Sequence, residues 1–138
     1  ELKGDMKMSK SLIYTALTAP VDVLAGGAIP LGTIIRRYGC AVNLNGNGIA
    51  LSEAAYYKVD ANVVVAATAA GDISATLLVD GVPYPGAIAT ETAAAAGVVT
   101  LPIDAIVRVG CCDGIKSLTL QLSAAGTVQS VAVSVERV

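Results

Sequence analysis

The clearest pattern in the chain is a strict alternation of apolar and polar residues across residues 56–65. With a period of two, the segment places Tyr57, Val59, Ala61, Val63 and Val65 on one face, and Tyr56, Lys58, Asp60 and Asn62 on the other. This period is typical of a half-buried strand in an antiparallel sheet. The segment therefore predicts a β-strand with the Tyr57 ring directed inward and the Tyr56 ring directed outward.

The same alternation recurs between turn signals along the rest of the chain. Further strands are predicted at 11–17, 21–24, 29–35, 41–44, 49–51, 71–79, 87–92, 99–109, 118–122 and 131–138. Asn-Gly and Asp-Gly pairs at 45–48 and 80–81 predict hairpin turns, and Pro83 and Pro85 predict a sheet edge or a loop. The four alanines at 93–96 are too few to nucleate a helix. Short strands at this spacing predict an all-β fold, an antiparallel β-sandwich of the jelly-roll type, in one domain spanning 11–138.

Residues 1–10 differ from the remainder because they are charged and lack alternation. They predict a flexible N-terminal arm, a tag remnant or a short docking peptide. Met8, Ser9 and Lys10 are the candidate residues of such a docking arm.

The composition indicates self-association. Apolar residues make up 54% of the chain and charged residues 14%, with a mean hydropathy of +0.68, whereas about 25% charged is ordinary. Pro20, Asp22 and Pro30 interrupt the most apolar window, so neither a membrane span nor a signal peptide is predicted. The surplus apolar surface is therefore expected to be covered by further copies of the chain. Arg36-Arg37 is the one basic pair, which argues against a nucleic acid partner.

The chain offers little material for catalysis. It contains no histidine, and its aspartates are scattered one to a turn or strand, so we expect no enzyme activity, no metal site and no cofactor. Two carboxylates brought together by the fold stay open as a hydrolytic alternative. Cys40, Cys111 and Cys112 are interpreted either as small buried hydrophobic residues in a reducing compartment or as a pairing of Cys40 with one of the adjacent two.

Five residues form the candidate oligomer interface. Arg36, Arg37 and Tyr38 are interpreted either as an intersubunit clamp that reaches carboxylates of a neighbour or as a solvated strand end. Tyr56 and Tyr57 complete the set, because tyrosine is enriched at interfaces.

Several segments resemble a known family. Residues 55–61 (AYYKVDA) look like the central strand of complement-head and tumour-necrosis-factor-like jelly rolls, in which a Gly-x-Tyr-x-hydrophobic pattern lies near the trimer axis; Ala55 stands where that family often has glycine. The succession of 34–40 (IIRRYGC), 78–87 (LVDGVPYPGA), 107–112 (VRVGCC) and 133–138 (VSVERV) resembles small jelly-roll proteins of tailed bacteriophages and prophages, and the tip domains of collagen-like bacterial surface proteins.

That resemblance implies a compact homotrimer on a virion or cell surface. We expect a structural virion protein of a bacteriophage, a capsid decoration or head-fibre component made in the bacterial cytoplasm, which contacts capsid or tail proteins through its arm. The alternative is an adhesion or receptor-binding tip that recognises bacterial or host surface glycans through Tyr38, Tyr56 and Tyr84.

Overall fold

The computed structural model describes residues 11–111 and 114–138, and in these ranges the chain forms eleven strands. The strands are β1 (Leu12–Leu17), β2 (Val21–Val23), β3 (Thr33–Tyr38), β4 (Val42–Asn45), β5 (Gly48–Leu51), β6 (Ala55–Ala67), β7 (Gly71–Val79), β8 (Val82–Ala93), β9 (Val98–Val109), β10 (Lys116–Leu122) and β11 (Gly126–Arg137).

The strands form two antiparallel sheets. Sheet A has the order β3-β1-β11-β6-β9, with the short β2 paired to the beginning of β11. Sheet B has the order β4-β5-β10-β7-β8. Strands distant in the chain lie side by side, as where β1 pairs with β11 through Leu12 and Glu136. This arrangement is a jelly roll and confirms the predicted fold class.

The core between the sheets is built from the faces that the alternation predicts. Tyr57 and the four apolar residues that alternate with it through Val65 are all buried, and so are Leu118, Leu120 and Leu122 of β10. Strand β11 departs from strict alternation because Gln129 is an extra residue in its pairing with β6. This β-bulge lets Val128 and Val131 both face the core although they are three residues apart.

The predicted turns and edges have clear counterparts. Asp80 and Gly81 take positive φ angles of 53° and 82° and join β7 to β8, and Gly46 takes 62° between β4 and β5. Pro83 and Pro85 lie in β8, which is an edge strand of sheet B.

The predicted strand at 29–35 is misplaced. Strand β3 begins only at Thr33, and the preceding residues Ile29 and Leu31 are instead buried core side chains in irregular backbone. The Ile29 N–H donates to the Leu120 carbonyl of β10 at 2.8 Å, so this segment lies against sheet B before the chain crosses to sheet A.

The Tyr57 hydroxyl provides a test of the core. Its side chain is 0% exposed and the hydroxyl donates to the Glu53 carbonyl at 2.7 Å. Tyr57→Phe is expected to lower the free energy of unfolding by about 1 kcal/mol at neutral pH. Burial raises the pKa of this hydroxyl above its usual 10.0, so the unfolded chain deprotonates first and the native protein loses stability as the pH rises past that value.

Phenylalanine cannot ionise, so the stability deficit of Tyr57→Phe should shrink above pH 10.0. Chemical denaturation of both proteins at neutral and alkaline pH measures this. Tyr56→Phe is the matched control and should change little at either pH, because that ring is 55% exposed. An equal stability deficit for Tyr57→Phe at neutral and alkaline pH would contradict the conclusion that burial raises the pKa of the Tyr57 hydroxyl.

Candidate functional site

The candidate site is the outward surface of sheet A, which we call the A face. It is formed by the side chains that alternate with the core residues of β1, β11, β6 and β9, together with the residues of the exposed edge strand β3 that pair with outward residues of β1. Its members are Arg36 and Tyr38 of β3; Leu12, Tyr14 and Ala16 of β1; Ala132, Ser134 and Glu136 of β11; Tyr56, Lys58, Asp60 and Asn62 of β6; and Pro102, Asp104, Ile106 and Arg108 of β9.

Strand register arranges the A face in rows that run across the sheet. One row consists of Arg36, Tyr14, Ser134, Asp60 and Asp104, each the direct partner of the next. A cationic side chain therefore stands on the outermost strand at one edge, and two carboxyl groups stand on the two strands at the opposite edge. Along this row the charge on the A face therefore changes from positive at one edge to negative at the other.

The two tyrosines at 56 and 57 separate as the alternation predicts. Tyr56 lies on the A face and Tyr57 lies in the core. Tyr57 therefore cannot contribute its ring to an interface of the folded subunit, and its place in the candidate interface is corrected to a core residue. Tyr38 is 65% exposed on the A face and remains a candidate.

The two arginines also separate. Arg37 pairs with the inward residue Ile13, and its Nε donates to the Val42 carbonyl of β4 at 2.9 Å. This side chain therefore links the edges of the two sheets within one subunit. Arg36 pairs with Tyr14 on the A face, and its Nη1 donates to the carbonyl of the adjacent Ile35 at 3.2 Å. Among the described residues no carboxylate lies within ion-pair distance of Arg36.

Asp60 and Asp104 form a carboxyl pair that sequence reasoning missed. They face each other across β6 and β9, and Lys58 Nζ lies 3.5 Å from Asp60 Oδ2. The hydrogen bond between the carboxyl groups, followed by the negative charge of Asp60, raises the pKa of Asp104, and Lys58 opposes this rise. Both residues stand at outward positions of alternating strands, but only the register of β6 on β9 brings them together.

A shallow open recess of about 290 Å³ lies in front of this pair. Its polar walls come from Tyr14, Asp60, Asn62, Asp104 and Ser134, and Ala132 is one of the small residues that line it. The recess can accept a planar cationic group, because carboxylates and a tyrosine ring are both favourable neighbours for such a group.

The outward surface of sheet B, the B face, differs in chemistry. Its centre carries half-buried, uncharged polar residues: Ser74, Thr76, Ser117, Thr119 and Gln121. The centre of the B face therefore has neither the aromatic side chains nor the charges that distinguish the A face.

The cysteine interpretations are corrected in part. Cys40 and Cys111 are exposed, so neither is a buried hydrophobic residue, and Cys40 is a free thiol, which overturns its pairing with a second cysteine. Cys112 lies outside the described residues, and so do Met8, Ser9 and Lys10 of the candidate docking arm. Tyr84 is half-buried, and its hydroxyl donates to the Ile106 carbonyl at 2.6 Å across the sheets, so it is less accessible than Tyr38 and Tyr56.

Two further features are absent from residues 11–111 and 114–138. No group of three or more Cys, Asp or Glu side chains there could hold a metal ion. No helix in those ranges is long and apolar enough to cross a membrane.

The fold is that of the tumour-necrosis-factor and complement-head jelly rolls, as comparison with solved structures shows. Murine APRIL at pH 5.0 superposes with a TM-score of 0.72 at 7% identity, covering 94% of this chain and 99% of that one. The globular domain of zebrafish complement 1qA gives 0.66 at 7% identity, covering 91% and 94%. The PRD1 vertex protein P5 gives 0.64 at 10% identity, covering 94% and 96%. No family model and no curated protein matches the sequence.

Proposed function

We propose that the protein is a non-enzymatic structural protein that assembles into a homotrimer through its A face and projects from the surface of a bacteriophage particle as a capsid decoration or head-fibre component. The observation that carries the proposal is the A face, with exposed Tyr14, Tyr38 and Tyr56 beside a row that runs from Arg36 at one edge to Asp60 and Asp104 at the other. Aromatic residues and arginine are the residue types enriched at interfaces.

A trimer also accounts for the composition. Large apolar side chains stay exposed on the A face of a single copy, including Leu12 and Ile106. Exposed apolar patches rimmed by polar residues mark association sites. The resemblance of the sequence to trimeric jelly rolls supports an assembly of three copies, and the similarity to a vertex protein supports a place on a virion.

Light scattering tests the assembly. We expect a particle three times the 13.8 kDa mass of the chain at micromolar concentration, and a melting temperature that rises with protein concentration. A stable monomer at that concentration would overturn the proposal. Virion attachment is tested separately by deleting residues 1–10, which should leave the trimer intact and abolish its binding to purified capsids.

A glycan-binding tip is the competing function. Tyr38 and Tyr56 are the exposed aromatic residues that it requires, but both belong to the A face that the trimer would use. Glycan array hits that disappear in Tyr38→Ala or Tyr56→Ala, on a protein absent from purified virions, would favour the tip over the structural role.

A further inference from the structure

We propose that Arg36 of one copy enters the recess of the next copy and pairs with Asp60 and Asp104, so that the trimer closes through three identical head-to-tail contacts. The inference rests on the proposed trimer and adds that the β3 edge of sheet A in one subunit contacts the edge formed by β6 and β9 in the next. The partner that occupies the A face is thus a second copy of this chain.

Arg36 cannot reach the carboxyl pair within its own subunit. Three strand spacings separate β3 from β6 in sheet A. At about 4.8 Å each, these place Arg36 roughly 14 Å from Asp60, beyond the reach of one side chain. Arg36 at one end of the row is therefore left without a carboxylate of its own subunit, and at the other end Lys58 lies within ion-pair distance of Asp60, one of the two carboxyl groups. A neighbouring copy can bring the two ends together.

The recess suits a guanidinium group in shape and chemistry. Arginine is planar and binds two carboxylate oxygens at once, whereas lysine acts as a point charge. Tyr14 and Ala132 both line the recess. An aromatic ring is a favourable neighbour for a cation, and the small side chain of Ala132 leaves space for one. A cation here also relieves the repulsion between Asp60 and Asp104, which Lys58 only partly offsets.

The placement of the charges fits a closed ring. In a threefold assembly each contact joins one patch of a subunit to a different patch of the neighbouring subunit. Every subunit therefore carries both patches, and the two must be complementary and lie apart from each other. The A face carries them at opposite ends of one row, with Arg36 on edge strand β3 and Asp104 on edge strand β9.

Chemical crosslinking tests this geometry directly. In a background with Cys40, Cys111 and Cys112 replaced by serine, Arg36→Cys and Asp104→Cys are combined and treated with a short bis-maleimide. We expect a covalent trimer on a denaturing gel and no larger species. Thr119→Cys with Asp104→Cys is the matched control and should stay uncrosslinked, because Thr119 lies on the B face.

The outcomes separate this contact from the trimer itself. A trimer by light scattering without crosslinking overturns the Arg36 contact and leaves the proposed function standing. A monomer by light scattering overturns the proposed function. A crosslinked dimer that never proceeds to trimer indicates a twofold contact and overturns both.

Substitution at Arg36 gives a second, independent measurement. Arg36→Gln should raise the concentration at which the trimer dissociates by roughly 30-fold or more, because it leaves two carboxyl groups in the interface beside the single positive charge of Lys58. Arg36→Lys should recover part of that loss, since it keeps the charge without the bidentate geometry. Equal dissociation concentrations for the wild type, Arg36→Gln and Arg36→Lys would contradict the contact of Arg36 with the carboxyl pair.

Discussion

Replacing Ala132 by arginine is expected to give a folded subunit that no longer forms a trimer. Ala132 is half-buried on β11, the middle strand of sheet A, and lines the recess. Ala132 is the direct partner of Asn62, which lies two residues along β6 from Asp60. Ala132 and Asp60 are therefore diagonal neighbours, which lie about 7–8 Å apart. The new guanidinium can therefore pair with Asp60 and Asp104 of its own subunit and fill the space that a neighbouring copy would need.

The expected effect is large. A long charged side chain at the centre of an interface costs about 3 kcal/mol or more of association, which corresponds to a dissociation concentration raised more than about 100-fold. The fold itself should be unaffected because the substitution lies outside the core. Light scattering at micromolar concentration should report a monomer, and far-UV circular dichroism should report unchanged strand content.

Thr119→Arg is the matched control for this prediction. Thr119 occupies the centre of the B face and, like Ala132, is half-buried. The control variant therefore carries the same arginine side chain on the opposite surface of the subunit. It should remain a trimer. If Ala132→Arg also remains a trimer, the A face is not the interface; if both variants dissociate, the effect is not specific to the A face.

The inward and outward faces of the strands could be predicted because alternation is a local property of the sequence. Tyr56 and Tyr57 separate correctly on this basis, as do the leucines of β10. The same reasoning does not assign different roles to Arg36 and Arg37, which the sequence places in one candidate interface. Only the pairing of β3 with β1 decides that Arg36 faces outward and that Arg37 bonds to Val42.

Features that depend on long-range pairing could not be predicted. Asp60 and Asp104 meet because two distant strands pair in one particular register, and a shift by one residue would send either carboxyl to the opposite face. The burial of Ile29 and Leu31 outside any strand likewise depends on sheet B lying beside them. A pattern of apolar residues does not distinguish that arrangement from a strand.

Gly32→Ala is expected to be the most damaging single-methyl substitution in the segment that leads into β3. Gly32 takes a φ of +83°, and a Cβ built there would lie 1.9 Å from the Ala16 carbonyl oxygen of β1. That atom belongs to the backbone of a paired strand and cannot rotate away, so either β1 or the crossing segment must move. The buried Ile29 and Leu31 precede this crossing and Thr33 of β3 follows it, so a displacement would disturb the core and the strand that carries Arg36.

The expected loss is about 4 kcal/mol or more of unfolding free energy, a large fraction of the total for an ordinary domain. Gly46→Ala separates the clash from the backbone strain, because Gly46 also has a positive φ of +62° but has open space where the Cβ would lie. That control should lose only about 1 kcal/mol, the ordinary cost of a left-handed alanine. Chemical denaturation at one fixed protein concentration compares the two. Equal losses would mean that the crossing over β1 is looser than the Gly32 geometry indicates, and that Ile29 and Leu31 are held in the core by their own packing.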